Sequence, residues 1–248
     1  MKCIKDISYC DMGNPNQKLD LYIPDCEEFS VFVYFHGGGL ESGDKGDVPE
    51  LIEYLISKNI AVVSANYRMY PTAVFPEYLR DAAGAVAWVK NHIGEYGKCE
   101  KIFVGGSSAG GYISMMLCFD GKYLAPYGIN PADLAGFVHD AGQPTTHYNV
   151  MRERGFNQNR IVVDEAAPAY FIGTKTEYPP MIFIVSDNDM VNRYEQTQMM
   201  LTALKQFGYS DYKYKLMHGT HCHYVNMLDE NGDSVLGKIA YEFIEETK

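Results

Sequence analysis

Short apolar runs alternate with longer amphipathic stretches along most of this chain. "VFVYFHGGG" (31–39) is a continuous apolar run that ends in glycines, the pattern of a strand buried on both faces. "AVVSANYR", "KIFVGG", "AGFVHDAG", "PPMIFIVS" and "DYKYKLMHG" repeat the pattern further on. Between them, "VPELIEYLISKNI" places Leu51, Leu55 and Ile56 at helical spacing, and "EYLRDAAGAVAWVKNHI" does the same with Leu79, Ala82, Val86 and Val89. "AGGYISMMLCF", "NRYEQTQMMLTALKQFG" (closed by Gly208) and "SVLGKIAYEFIEETK" read as three more helices. Strands alternating with helices predict an α/β domain with a mostly parallel sheet covered on both faces. The early "KCIKDISYC…KLDLYIP" alternates more regularly and reads as an antiparallel pair at the sheet edge.

Residues 141–180 break this rhythm. They are polar, aromatic and weakly periodic. A connection this long inside a compact domain reads as a lid or substrate-binding insertion. Otherwise residues 1–248 read as a single domain, a natural size for one large α/β unit.

Composition narrows the functions. With 46% hydrophobic and 21% charged residues, the chain is ordinary for a globular protein. A net charge of −11, without clustered Lys and Arg, excludes nucleic acid as a partner. No stretch reaches the roughly 18 apolar residues of a membrane span. "MKCIKDISYC" lacks the apolar core of a signal peptide, and none of the six cysteines forms a CxxC pair. A large core needs no disulfide staples, so free thiols and a cytoplasmic location are expected. The oligomeric state stays open, a homo-oligomer included.

Candidate chemistry begins at "KIFVGGSSAGG". Gly106-Ser107-Ser108-Ala109-Gly110 fits G-x-S-x-G, the nucleophile elbow. So tight a turn from strand to helix excludes bulk two residues either side of the nucleophile. Gly106 and Gly110 meet that need for Ser108. Centring on Ser107 would put Gly105 and Ala109 there, a poorer match. "GGSSAGG" is neither a Walker loop nor GxGxxG. Upstream, His36-Gly37-Gly38-Gly39 follows an apolar strand, and such an HGGG element supplies part of an oxyanion hole in lipases and esterases. A serine nucleophile needs a base, and the base an orienting acid. By chemistry alone Asp187 and Asp189 both qualify as acid. His218, His221 and His223 of "MHGTHCHY" all qualify as base, and they could also form a zinc site with Cys222 as a soft ligand, although no carboxylate or cysteine cluster completes it.

Taken in order, "HGGGLESGD", "ANYRMYP…FPEYLRDAAGAVAWV", "GGSSAGG", "PPMIFIVSDNDMV" and "HGTHCHY" resemble α/β-hydrolase esterases, in particular the hormone-sensitive-lipase and acetyl-esterase branch. The resemblance covers most of the chain from about "LDLYIP" onward. It implies the α/β-hydrolase fold, a Ser–Asp–His chain order and acyl-enzyme chemistry. The family pattern assigns the acid to Asp189 and the base to His221. The oxyanion donors it implies are the amides of Gly38, Gly39 and Ala109. No cofactor and no metal are implied, and the partner is a small-molecule ester.

This chain departs from the pattern in carrying Ser107 where Asp or Glu is common and Leu40 where Phe or Trp is common. His36 lies too near the start for the N-terminal cap of larger members, so substrate selection is expected from 141–180 and from the glycine loops. Tyr67, Tyr70, Tyr148 and Tyr170 suggest short or small acyl groups, with sugar acetates and hydroxycinnamoyl esters as candidates. The same triad serves amide hydrolysis in arylformamidases and in prolyl peptidases, whose usual propeller domain is not seen here. A non-catalytic binding protein on the same scaffold would be expected to lack a triad member.

Overall fold

The computed structural model describes residues 1–10, 13–175 and 177–247. Thr176, inside the 141–180 stretch, and Lys248, at the end of the closing-helix stretch, lie outside these residues. Fourteen main elements follow in order: β1 (Lys2–Ser8), β2 (Lys18–Ile23), β3 (Glu28–Phe35), α1 (Pro49–Ser57), β4 (Ile60–Ala65), α2 (Glu77–His92), β5 (Lys98–Ser107), α3 (Ala109–Phe119), β6 (Gly136–Asp140), α4 (Tyr148–Glu153), β7 (Met181–Asn188), α5 (Arg193–Gln206), β8 (Tyr212–Thr220) and α6 (Val235–Glu246). The strands form one sheet in the order β1-β2-β4-β3-β5-β6-β7-β8. The β1–β2 and β2–β4 pairs are antiparallel, and every other pair is parallel.

The apolar runs have a direct physical origin. In β3, Val31, Val33 and Phe35 enter the core on one face of the sheet, while Phe32 and Tyr34 enter the core on the other. In β4, Ala61, Val63 and Ala65 face the first core, and Ile60 and Val62 the second. A strand with a core on each side has no polar face to show, so alternation disappears from its sequence. Leu79, Val86, Met116 and Leu204 of α2, α3 and α5 cover the first face; Leu51, Leu55, Ile239 and Phe243 of α1 and α6 cover the second.

The winding fixes where a ligand can bind. From β3 the chain steps through α1 to β4 on one side, then crosses through α2 to β5 on the other. Strand order therefore reverses between β3 and β5. In open parallel sheets the crevice at the carboxyl ends of the strands flanking such a reversal is the binding site. The glycines after Phe35 and the Ser-Ser pair ending β5 both lie there.

Residues 141–180 hold α4 and a short 3₁₀ turn at Pro168–Phe171, with little other regular structure. Residues 141–147 are buried and 155–161 exposed. Their polar side chains bond to one another and to neighbouring elements: Gln143 Nε2 donates to Thr145 Oγ1 at 3.1 Å, Thr145 Oγ1 to Gln196 Oε1 at 3.0 Å, and Thr146 Oγ1 to Asp164 Oδ1 at 2.8 Å. Arg154 pairs with Asp164 at 2.6 Å. A segment held this way needs no apolar period, which is why none is visible. Among the described residues, no helix is long and apolar enough to cross a membrane.

Candidate active site

The elbow is tight. Ser108 caps α3 with φ 56° and ψ −111°, a left-handed conformation that a non-glycine residue holds only under constraint. A Cβ on Gly110 would overlap the Phe35 carbonyl, and one on Gly106 would lie 2.5 Å from the same oxygen. The elbow thus packs against the end of β3, and both glycines are required by space. The Ser108 amide donates to the Asp140 carbonyl at 2.8 Å, which ties the turn to β6.

Ser108 Oγ–H donates to His221 Nε2 at 2.8 Å, and His221 Nδ1–H donates to Asp189 Oδ1 at 2.5 Å. The Asp189 side chain is fully inaccessible and that of His221 is partly exposed. Burial alone would raise the Asp189 pKa. The His221 hydrogen bond and charge, the Met190 amide and the Arg193 charge outweigh it and hold the carboxyl below its usual range. An ionised acid fixes the imidazole with its proton on Nδ1, leaving Nε2 free to accept from Ser108.

The runner-up residues pair elsewhere. Asp187 Oδ2 accepts from His218 Nδ1 at 2.6 Å, and its Oδ1 from the Gly219 amide at 2.9 Å, both near the surface. His223 Nδ1 donates to the Thr220 carbonyl at 2.8 Å. The three histidines thus turn to three different partners, and no cluster of metal-ligating side chains occurs among the described residues. Burial drives the Cys222 thiol pKa well above its usual value, so its sulfur stays protonated beside His221.

The glycine loop after β3 is held open by its neighbours. Gly38 (φ 106°) and Gly39 (φ 67°) take conformations that disfavour other residues. A Cβ on Gly39 would strike the Tyr148 hydroxyl, and Asn149 Nδ2 donates to the Gly39 carbonyl at 2.8 Å. The 141–180 segment therefore braces this loop. His36 is buried, stacks on Tyr67 at 4.5 Å, and bonds through Nδ1 to the Gly37 carbonyl at 2.7 Å. Burial lowers its pKa and keeps the ring neutral. As the first residue of α3, Ala109 has an amide with no acceptor inside its own helix.

One tyrosine reading is corrected. Tyr67 is fully buried and donates to the His36 carbonyl at 2.8 Å, so it shapes the core under the loop and cannot touch an acyl group. Tyr70 lies under the Arg152 guanidinium at 4.8 Å, and Tyr170 is exposed against Phe171. The Tyr148 hydroxyl lies against Gly39 in the glycine loop.

A buried polar group beneath the elbow had no sequence motif to announce it. Ser107 Oγ–H donates to Asp140 Oδ2 at 2.5 Å, Tyr34 OH donates to Ser107 Oγ at 2.9 Å, and Tyr224 OH donates to Asp140 Oδ1. Burial pushes the Asp140 pKa up to about 6, against the pull of these hydrogen bonds and of His221. Asp140 thus joins the elbow, the end of β3 and the loop that carries His221. The signal available in sequence was a lone acid at the end of "GFVHD", one strand from the elbow.

The prolyl oligopeptidase family profile matches residues 77–236, and a BD-FAE profile matches residues 19–125. The chain belongs to the prolyl oligopeptidase family. The sequence is 36% identical over 117 residues to a probable carboxylic ester hydrolase, LipM, of Mycobacterium tuberculosis, covering 45% of this chain and 27% of that protein. It is 35% identical over 96 residues to Esterase LipI of the same organism, covering 38% and 30% respectively. The chain thus spans under a third of the length of these relatives. Esterase B from Lactobacillus rhamnosis superposes with a TM-score of 0.79 at 18% identity, over 99% of this chain and 86% of that one. A truncated carbohydrate esterase from gut microbiota gives 0.79 at 17% identity, over 100% and 96%. These structures share the α/β-hydrolase fold with this family member.

Proposed function

We propose that this protein is a serine hydrolase of carboxylic esters with small acyl groups. The observation that carries the reading is the chain of two hydrogen bonds from Ser108 Oγ through His221 to buried Asp189. Ser108 Oγ attacks the ester carbonyl carbon while His221 Nε2 takes its proton, and Asp189 stabilises the imidazolium. The oxyanion is received by the amides of Gly38, Gly39 and Ala109, each donor contributing roughly 2.7–4 kcal/mol of barrier lowering. Collapse expels the alcohol, protonated by His221, and leaves an acyl group on Ser108. Water, deprotonated by His221, then attacks the acyl carbon and releases the acid.

Two open cavities lie along the glycine loop and the 141–180 segment, and Ser108 lines the first. One of about 460 Å³ lies between the glycine loop and His221; another of about 640 Å³ lies against Tyr148, Met190 and Arg193. Neither is a long apolar tunnel, which supports small acyl groups such as acetyl on a sugar, or an aromatic acyl group. The 141–180 segment forms much of the wall of the second cavity, which supports reading it as a substrate-binding insertion. The names of LipM, LipI and the two esterase structures support the ester reading. The family match favours amide hydrolysis by the same residues as the second reading.

Labelling with a fluorophosphonate, followed by hydrolysis of p-nitrophenyl acetate, methyl ferulate, acetylated xylo-oligosaccharides and N-formylkynurenine, tests both readings. Label at Ser108 with ester turnover supports the proposal. Turnover of the formamide alone supports the amide reading, and an unlabelled Ser108 overturns both.

A further inference from the structure

The cavity of about 640 Å³ against Tyr148, Met190 and Arg193 departs from the charge of the rest of the protein. The chain has 32 acidic against 21 basic residues, yet the titratable side chains on this wall are Arg160, Arg193 and Tyr148, with no carboxylate. Tyr148 sets its hydroxyl against Gly39, and Met190 directly follows Asp189, so the wall is built in part from immediate neighbours of the glycine loop and of the triad acid.

Arg193 is the informative residue. It is only 4% exposed. Its guanidinium donates to the Ala141 carbonyl and to Gln143 Oε1, both neutral acceptors. Arg68, Arg152 and Arg154 each have a carboxylate partner, in Asp81, Glu41 and Asp164. Arg193 forms no ion pair among the described residues. Asp189 is near enough for its charge to act on Arg193, but its oxygens are taken by His221 and the amides of Met190 and Ser186. A buried cation without an anion is costly, and here desolvation depresses the guanidinium pKa. Two bonds to neutral oxygens also leave N–H donors of the planar fork free, and that fork matches a carboxylate.

Two further features point the same way. The guanidinium of Arg160 lies over the Phe156 ring at 5.5 Å, and Arg160 too has no ion pair among the described residues. The 14-residue helix α5 begins at Arg193, so the positive end of its dipole falls on the same wall. Exposed Ile161, Met190 and Val191 add apolar surface to the same wall.

We propose that this cavity is a subsite for a carboxylate carried by the substrate, so that the preferred ester bears a free carboxylate joined to the ester group by a short apolar linker. The inference rests on the ester-hydrolase reading above and adds the substrate class. The carboxylate can belong to the acyl half, as in a dicarboxylic acid monoester, or to the alcohol half, as in an acylated hydroxy acid. The shared chemistry is a monoanion recognised by two guanidinium groups.

The test compares matched pairs by pH-stat at neutral pH. For the acyl half, monoethyl glutarate is set against its primary-amide isostere. For the alcohol half, 4-acetoxybutanoate is set against 4-acetoxybutanamide. In the wild type, one pair is expected to favour the carboxylate by about tenfold or more in kcat/KM, with the difference mainly in KM. Arg193→Gln is expected to bring that ratio close to one, and Arg160→Gln to lower it in part. Should Arg193→Gln not fold, the wild type still decides: glutarate should inhibit p-nitrophenyl acetate hydrolysis competitively, and glutaramide should not. Cleavage of p-nitrophenyl acetate with equal rates in both pairs and no inhibition by glutarate overturns the subsite and leaves the esterase reading standing. If no ester is cleaved, the esterase reading falls. Calorimetry of monoethyl glutarate with Ser108→Ala then judges the subsite: binding lost on adding Arg160→Gln supports it, and absence of binding overturns it.

Discussion

Ser107 Oγ and Asp140 Oδ2 lie 2.5 Å apart beneath the sheet's end, while the next hydroxyl, that of Ser108, turns away to His221 Nε2 at 2.8 Å. Two identical side chains in succession thus belong to separate networks. Ser107 still obeys the pleat of β5 and pairs with Asp140 in the β6 register. Ser108 has already left the strand with φ 56°, which reverses the direction of its side chain.

The two serines should therefore fail differently. Ser108→Ala is expected to lose ester turnover by about 10⁴-fold or more while keeping the wild-type melting temperature. Ser107→Ala should keep most of its turnover but lose about 1–3 kcal/mol of stability, because Asp140 Oδ2 and the Tyr34 hydroxyl lose a buried partner. Turnover of p-nitrophenyl acetate and urea denaturation check both. An inactive, stable Ser107→Ala beside an active Ser108→Ala would reverse the assignment.

The two acids separate in the same way. Asp189→Asn leaves the imidazole without the acceptor that fixes its tautomer, and kcat is expected to fall by about 10³–10⁴-fold. Asp187→Asn touches only the outer contacts with His218 and the Gly219 amide, so kcat should change by less than about twofold. Equal losses from both would mean that the outer pair feeds into the reaction.

How much of this could be read in advance differs by feature. The parallel sheet was legible because strands buried on both faces write unbroken apolar runs, as in Val31–Phe35. The choice of Ser108 was legible because Gly106 and Gly110 answer a steric demand of the turn. Asp189 and His221 stood against chemically equal neighbours, and only their family-like spacing favoured them. Asp140, Tyr224 and Asn149 carried no motif, since each acts through contacts with residues far away in sequence. Tyr67 was misplaced because its neighbours say "loop" while its ring fills the core under His36.

Space at the elbow gives a further prediction. Gly110→Ala places a methyl group against the Phe35 backbone, which β3 holds in the middle of the sheet and cannot withdraw. A loss of about 3 kcal/mol or more is expected, read as insoluble or strongly destabilised protein. Gly94→Ala, whose Cβ meets nothing within 4 Å, is the control and should remain within about 0.5 kcal/mol of wild type.

Asp140 makes stability depend on pH with a sign opposite to that of most acids. Its pKa rises from the ordinary 3.8 to about 6 in the folded protein, chiefly through burial. Below about pH 4 the carboxyl is protonated in both folded and unfolded chains. Between about 4 and 6 the unfolded chain ionises first while the fold retains the proton, so stability falls as pH rises. Above about 6 both forms are ionised and the loss is complete. A shift of about two units corresponds to about 3 kcal/mol. Asp164 and Asp189, held below the usual range, act in the opposite direction: their stabilisation is lost as pH falls. The Asp140 contribution is therefore read as a difference. Urea midpoints of the wild type and Asp140→Asn, measured from about pH 4 to pH 7, should show the advantage of wild type over the variant shrinking by about 3 kcal/mol across that window. A difference that stays flat or grows with pH would mean that the hydrogen bonds from Ser107 and Tyr224 fully offset burial and that Asp140 is ionised throughout.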